Sequence, residues 1–299
     1  MSQEKTTANK LYVTGITLVA TFGGLLFGYD TAVISGAESS LKTFFVTPLL
    51  NDAVAAASVI AQFKLIGVIS FVFIFGLVIS FMKRLFVTTG KTIAYSALSG
   101  GLIYLLVNYL FLRHGSTLDE NLINVIHGFN VSSALIGCII GGSLGGYVSQ
   151  TVGRKNGLIM AALLFLISAV GSAIPDKMNI FGSEVLGAFM FYRVIGGIGV
   201  GLASMLSPMY IAEIAPANIR GRLVSFNQFA IIFGMLVVYF VNYFIAKGQA
   251  KEWIDTIGWR WMFASECIPA ALFCCCCSLC PKPQGTLFFP TKTTKPYRC

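Results

Sequence analysis

The sequence predicts an all-α polytopic membrane protein. Hydrophobic residues make up 56% of its 299 residues and charged residues 11%, less than half of the roughly 25% charged share of a soluble domain. Mean hydropathy is +0.79. The apolar residues fall into runs of about 20 or more, the length that crosses a bilayer as a helix. Such a chain has too little polar surface to cover a globule in water, which excludes a cytosolic enzyme, a secreted disulfide scaffold and a disordered tail. The net charge is +9, with 21 Lys and Arg. These stand singly or in pairs between apolar runs, so they read as membrane-orienting charges and not as a nucleic-acid surface.

Eight apolar runs are candidate spans: 11–36, 56–82, 92–112, 128–150, 156–175, 187–212, 223–246 and 258–280. The first is too long for a signal-peptide core and ends in Gly36-Ala37-Glu38, so no cleavable signal is expected. With the N-terminus inside, the inner connections hold Lys5, Lys10, Lys83, Arg84, Lys91, Arg154, Lys155, Arg220 and Arg222. The outer ones hold Lys42, Arg113, Lys177, Lys247 and Lys251, diluted by acids such as Asp119, Glu120 and Glu252. Nine bases inside against five outside fits a cytoplasmic N-terminus.

Glycine marks helix contacts. Gly141, Gly142, Gly145 and Gly146 form two overlapping GxxxG pairs, and Gly197 and Gly201 form a third. Small residues four apart let helix backbones approach closely in lipid, which implies a packed bundle.

Ionisable residues inside spans are costly and tend to mark pathways or relays. Three stand out: Asp30, Arg193 and Glu266. Lys64 and Arg260 lie near span ends, where a long side chain reaches the interface. Asp30 and Arg193 each lie about six residues from the outer end of their helix, or roughly 9 Å deep, so they can pair. Such a pair either pins two helices or exchanges a proton. A nearby arginine favours a charged carboxylate and burial a neutral one, so moving the partner toggles the proton.

Several motifs then resemble one family. Phe22-Gly23-Gly24-Leu25-Leu26-Phe27-Gly28-Tyr29-Asp30 through Gly36 is similar to the first-helix signature of the sugar porters of the major facilitator superfamily. Gly145-Gly146-Tyr147 through Gly153-Arg154-Lys155 resembles the loop after the second family helix. Pro208-Met209-Tyr210-Ile211-Ala212-Glu213 with Ile219-Arg220-Gly221 resembles the fourth-to-fifth helix motif. Ser225-Phe226-Asn227-Gln228-Phe229 and Gly258-Trp259-Arg260-Trp261 continue the match. The resemblance covers residues 11–47 and 128–273. It implies the N-terminal six-helix half of a major facilitator fold in the cell inner membrane, carrying out proton-coupled symport of a monosaccharide, D-xylose or a related sugar, by alternating access. It implies no organic cofactor or metal, with H+ as the coupling ion.

The resemblance also implies residue roles. Asp30, Arg193 and Glu266 match proton-coupling positions. Phe27 matches an aromatic that packs on the sugar ring, and Gln228 an amide that both donates to and accepts from sugar hydroxyls. Met235 stands where xylose-carrying members have a second glutamine. Arg154, Glu213 and Arg220 match a cytoplasmic gate. Gln150 departs from an aspartate common in the superfamily loop.

Two larger departures shape the expected domain organisation. Residues 48–127 are an insertion with two apolar runs joined by a basic turn, read as an inserted membrane hairpin in which Lys64 and His114 are interfacial. Residues 1–47 then form the first family helix and 128–273 family helices two to six. The tail 274–299 opens on four adjacent cysteines. Thiolates bind soft metals, but four consecutive positions of a helix cannot face one ion. With suitable synonymous codons, Cys280 to Gly285 read one base out of frame give Pro-Glu-Thr-Pro-Arg, which resembles the family motif ending the sixth helix. The shifted cysteine codons give leucines. The tail is therefore expected to be out of frame, with the C-terminal half as the missing partner. No Ser/His/Asp set or nucleotide loop points to an enzyme. The competing reading is a non-transporting membrane fragment, or a structural half that needs a separate C-terminal chain.

Overall fold

A backbone in lipid must satisfy its polar groups internally, and a helix does so within one segment. The computed structural model describes residues 2–50, 58–59, 120–177 and 185–279. The expected spans 56–82 and 92–112, Lys64, His114 and the tail residues 280–299 lie outside these residues, apart from positions 58 and 59. Every described element is helical, and six helical segments are long and apolar enough to cross a membrane.

Helix α1 runs Ser2–Leu41, α2 Glu120–Thr151, α3 Arg154–Ala173, α4 Val185–Ile214 and α5 Arg220–Ala246. The last span, Lys251–Ser278, is broken into a short α6 (Trp259–Ala264) and α7 (Cys267–Leu279). Three of these bounds differ from the sequence expectation, the first being that α2 begins at Glu120, inside the segment 48–127 expected to be an inserted hairpin. Helix α1 continues through Gly36 to Leu41, and at Gly36 the Asn242 side chain of α5 leaves no room for a Cβ. The last span is not one helix, because Pro269 has no N–H and its ring crowds the carbonyl four residues back. The helix therefore parts at Ser265–Glu266 and restarts, with Ile268 donating to the Ser265 carbonyl at 3.3 Å. The turn between α2 and α3 rests on Gly153, whose φ of +88° is a conformation that side chains resist.

Helix α4 is the axis of the bundle. It touches α1, α2 and α3, while α5 lies against α1 and α7 against α3. Helices α2 and α4 run parallel in close contact. A Cβ on Gly197 would strike the Ala134 carbonyl, and one on Gly201 the Cys138 carbonyl. From the other side, Gly137 and Gly141 admit the carbonyls of Val194 and Ile198. The small-residue reading is therefore correct for Gly141, Gly197 and Gly201. Gly137 joins them, while Gly142 faces open space and Gly145 meets only the Met205 side chain. Helix α1 crosses α5 in the same way, Gly28 against the Ile231 carbonyl and Gly234 against that of Leu25.

The core has two apolar clusters. One gathers Val33, Phe45, Phe189, Trp259 and Phe263. The other gathers Leu26, Phe165, Leu206, Ala270 and Phe273. Helix α7 carries Cys274–Cys277 round its circumference, so that Cys277 is buried in the second cluster while Cys275 is exposed.

Because the α2–α4 approach is backbone to backbone, Gly197→Leu is expected to cost about 3 kcal/mol or more, the upper end of overpacking effects. Gly142→Leu, on α2 beside Gly141 but facing open space, should stay within about 1 kcal/mol. Reversible unfolding of the two variants in detergent separates these outcomes.

Candidate functional site

Each helix that passes from one apolar cluster to the other changes character at the boundary. On α1, Leu26 belongs to one cluster and Val33 to the other, and Asp30 lies between. On α4, Arg193 lies between Met190 and Val200. On the last span, Glu266 lies between Phe263 and Ala270, at the break that Pro269 causes. Helix α3 contributes Ser168 and Ser172, and α2 contributes Asn130 and Ser133, all of them buried. The bundle thus carries a polar layer sealed on both sides by hydrocarbon.

At its centre Arg193 Nη1 donates to Asp30 Oδ1 at 2.5 Å. Both side chains are 2% exposed. Burying the pair without loss requires excellent geometry, because each ion gives up its hydration. The surroundings supply it. The guanidinium carbon lies 5.5 Å from the centroid of the Phe263 ring, a favourable cation–π geometry. Gly196, on the turn after Arg193, brings the α4 backbone against Ser168 and within reach of Asp30 Oδ1. Glu266 is fully buried, and neither carboxyl oxygen has a hydrogen-bond partner among the described residues. Beside it, Tyr29 Oη lies 2.7 Å from Ser265 Oγ. The Ser265 hydroxyl already donates to the Met262 carbonyl at 2.6 Å. Tyr29 is therefore the donor, and it ties α1 to the helix break.

The other residues singled out from the sequence fall elsewhere. Phe27 is half-buried on α1, Gln228 exposed on α5 and Met235 half-buried on α5. All three flank the α1–α5 crossing. Asn227, next to Gln228, fills that crossing with its carboxamide against Gly24. Asn242 donates to the Val33 carbonyl at 3.2 Å and holds the far end of the same pair of helices.

Of the residues matched to a gate, the structure brings two together. Arg154 donates through Nε to Glu213 Oε1 at 2.9 Å and through Nη1 to the Ser149 carbonyl at 2.9 Å. Arg220 instead donates to the Ala215 carbonyl at 3.4 Å, and no carboxylate pairs with it among the described residues. At the opposite end of the bundle, Arg260 pairs with Asp176 at 2.5 Å and lies over the Trp259 and Phe44 rings, as expected of an arginine at a span end. Ser40 bonds Asp255 at 2.8 Å, and Lys42 bonds Asn124 at 3.0 Å. Among the described residues, no three His, Cys, Asp or Glu side chains converge as a metal site would require.

Sequence reasoning missed Asn130, Ser168 and Ser172, because it weighed only ionisable residues inside the spans. A neutral amide in the middle of an apolar run carries the same signal at lower intensity.

The family model described as "Sugar (and other) transporter" matches residues 16–283. The D-xylose-proton symporter of Escherichia coli K12 is 46% identical over 275 residues, which cover 89% of this chain and 42% of that protein. The glucose transport protein of Synechocystis is 32% identical, with 94% and 43% covered. The partially occluded, inward-open structure of the xylose transporter XylE from E. coli superposes with a TM-score of 0.65 over 91% of this chain and 50% of that one. XylE bound to 6-bromo-6-deoxy-D-glucose superposes with a TM-score of 0.66. The chain spans about half the length of the relatives it matches.

Gln228 is exposed, and the Arg154–Glu213 pair is partly exposed. Gln228→Ala should therefore change unfolding stability by no more than about 0.5 kcal/mol, and Glu213→Ala by no more than about 1 kcal/mol. A loss above about 2 kcal/mol in denaturant titrations would mark either residue as structural.

Proposed function

The chain belongs to the sugar transporter family, and we propose that within it the chain forms the N-terminal half of a sugar–proton symporter of the cell inner membrane. The observation that carries this reading is the buried Asp30–Arg193 pair, 2.5 Å apart, in a layer that also holds Glu266. A buried static pair is a weak contributor to stability. Its position inside a span instead fits a group that takes up and releases a proton. On this reading Asp30 carries the coupling proton, Arg193 governs when it is held, and Glu266 shares the same field.

The substrate is a monosaccharide, D-xylose or a close relative. The similarity to proteins named for xylose and glucose supports this class. Transporters built from repeats bind substrate near the midplane, at the interface between halves. The exposed Gln228 and half-buried Phe27 beside the α1–α5 crossing suit one wall of such a site, with Phe27 stacking on the sugar ring and Gln228 exchanging hydrogen bonds with its hydroxyls. Met235, on the same helix, gives this wall an apolar position where a second amide would favour pentose hydroxyls. The Arg154–Glu213 pair, with Arg220 free of acids nearby among the described residues, suits a cytoplasmic gate that closes against the other half.

Because half of the relatives' length is represented here, transport is assigned to the assembly of this half with a second six-helix half that supplies the opposite wall of the sugar site. The N-terminus lies in the cytoplasm.

The test is uptake of labelled D-xylose into proteoliposomes under an imposed pH gradient. The chain alone is expected to give no saturable uptake, and the chain supplied with a C-terminal half to accumulate sugar. In that assembly Asp30→Asn should abolish accumulation while leaving sugar exchange, since an amide keeps the shape but cannot titrate. Gln228→Ala should weaken sugar binding about 10- to 100-fold. Gradient-driven uptake by the chain alone would overturn the half-transporter reading, and accumulation by Asp30→Asn would overturn the proton role.

A further inference from the structure

Asn130 is a buried polar side chain for which none of these contacts finds a use. It is completely inaccessible. Neither its Oδ1 nor its Nδ2 meets a hydrogen-bonding atom among the described residues. Its place in the bundle follows from the α2–α4 contact. The two helices run parallel, with Ala134 opposite Gly197 and Cys138 opposite Gly201. One turn back along each helix stand Asn130 and Arg193. Asn130, Ala134, Gly137 and Gly141 form a single stripe at helical spacing, and the last three are the residues that touch α4. Asn130 therefore faces α4 at the level of Arg193 in the helix register.

Arg193 has hydrogen-bonding capacity to spare. A guanidinium carries five N–H donors and no acceptor. Nη1 is spent on Asp30, while Nε is buried with no acceptor among the described residues. If Asp30 takes a proton, the strong carboxylate acceptor disappears and the cation remains, still inside hydrocarbon.

We propose that Asn130 is a positioning residue for the ion-pair switch: when Asp30 is protonated, Arg193 turns to the Asn130 carboxamide oxygen, which accepts from the guanidinium and keeps the buried cation hydrogen-bonded. The proton goes to an Asp30 carboxylate oxygen, and Arg193 keeps all of its own. The order of preference is set by chemistry. A charged acceptor bonds a guanidinium more strongly than a neutral amide does. Asp30 therefore holds Arg193 while ionised, and Asn130 holds it only once that charge is gone. Glu266 also offers acceptors in this layer. It lies at the helix break of the last span, however, whereas Asn130 stands one turn back from the α2–α4 backbone contact, opposite Arg193. The ionisable groups around the pair are Tyr29 of α1, Cys138 of α2 and Glu266 of the last span, while His127 of α2 lies 3.6 Å from Glu38. Helix α3 presents the neutral hydroxyls of Ser168 and Ser172.

The inference rests on the reading of Asp30 as the proton-carrying group, but its test is independent of transport. Thermal unfolding of the full chain in detergent is followed for a set of variants. Asp30→Asn imitates the protonated carboxyl, and Asn130→Leu removes the acceptor while keeping a branched side chain of four heavy atoms. Alone, Asn130→Leu should leave the midpoint within about 2 °C of the native value or raise it. In the Asp30→Asn background it should lower the midpoint by about 5 °C beyond the sum of the single effects. The pair Asp30→Asn with Asn130→Asp, which moves the carboxylate from α1 to α2, should recover most of that loss. The 15N resonance of Arg193 Nε gives a signature that a merely structural asparagine would not move. It should shift in Asp30→Asn and shift again when Asn130→Leu is added. Equal losses in both backgrounds, or no recovery in the relocated-carboxylate variant, would overturn the proposal. If the Asp30→Asn/Asn130→Leu variant does not fold, recovery in the relocated-carboxylate variant decides for the proposal and its absence decides against. Failure of Asp30→Asn to abolish proton-driven accumulation would instead count against the symport reading alone.

Discussion

A guanidinium stays charged in every environment a protein provides, so a buried arginine must be answered by its surroundings. Arg193 sits at 2% exposure between two apolar clusters, and the rest of the bundle is arranged around that demand. Asp30 meets it with charge, the Phe263 ring with its negative face, and the α4 backbone with a glycine turn that lets α1 and α3 come close. A Cβ at Gly196 would strike the Ser168 side chain. The glycines that permit tight packing and the charges that imply function are therefore parts of one device.

The same logic explains why the polar layer is thin. Its members are spread over α1, α2, α3, α4 and the last span, one or two to each. Every helix can then keep the apolar surface that seals the layer from both sides. Pro269 adds the last element. By breaking the sixth span at Ser265–Glu266 it delivers a carboxyl group into the layer and offers a hydroxyl, Ser265, to Tyr29 of α1. A continuous helix would have spaced these groups differently. Spans joined in this way hold a fixed geometry at their ends, through Arg154–Glu213 at one and Arg260–Asp176 at the other. The middle carries the buried polar layer.

Much of this was legible in the chain. Charge scarcity and long apolar runs predict helices in lipid, and six spans are found among the described residues, each lying over one expected run. Asp30 and Arg193 could be paired from equal depth and opposite charge alone, since both are too costly to stand single in a span. The family resemblance rests on residues that the structure explains as packing: Gly24 and Gly28 admit α5, and Gly36 admits Asn242. Other features were hidden for physical reasons. A GxxxG pattern says that a helix has a small-residue stripe, but not which glycines meet a neighbour, so Gly142 was grouped with Gly141 although it faces open space. Pro269 lies close enough to a span's centre for the run to read as continuous. Asn130 escaped because neutral polarity is a weaker signal than charge, although burial makes its demand nearly as strict. Gln228 is the converse, a polar residue in a span that remains exposed and is free to serve a ligand.

The central claim is that Asp30 and Arg193 form one coupled unit, each answering the other's buried charge. A double-mutant cycle on the chain's unfolding in detergent tests it most directly, with Asp30→Leu, Arg193→Leu and the two combined. The account predicts that Asp30→Leu costs about 3 kcal/mol or more, because it strands a buried cation. Removing Arg193 as well should recover most of that loss. If the two losses simply add, the residues act independently, and the polar layer is a set of separate buried groups with no shared switch.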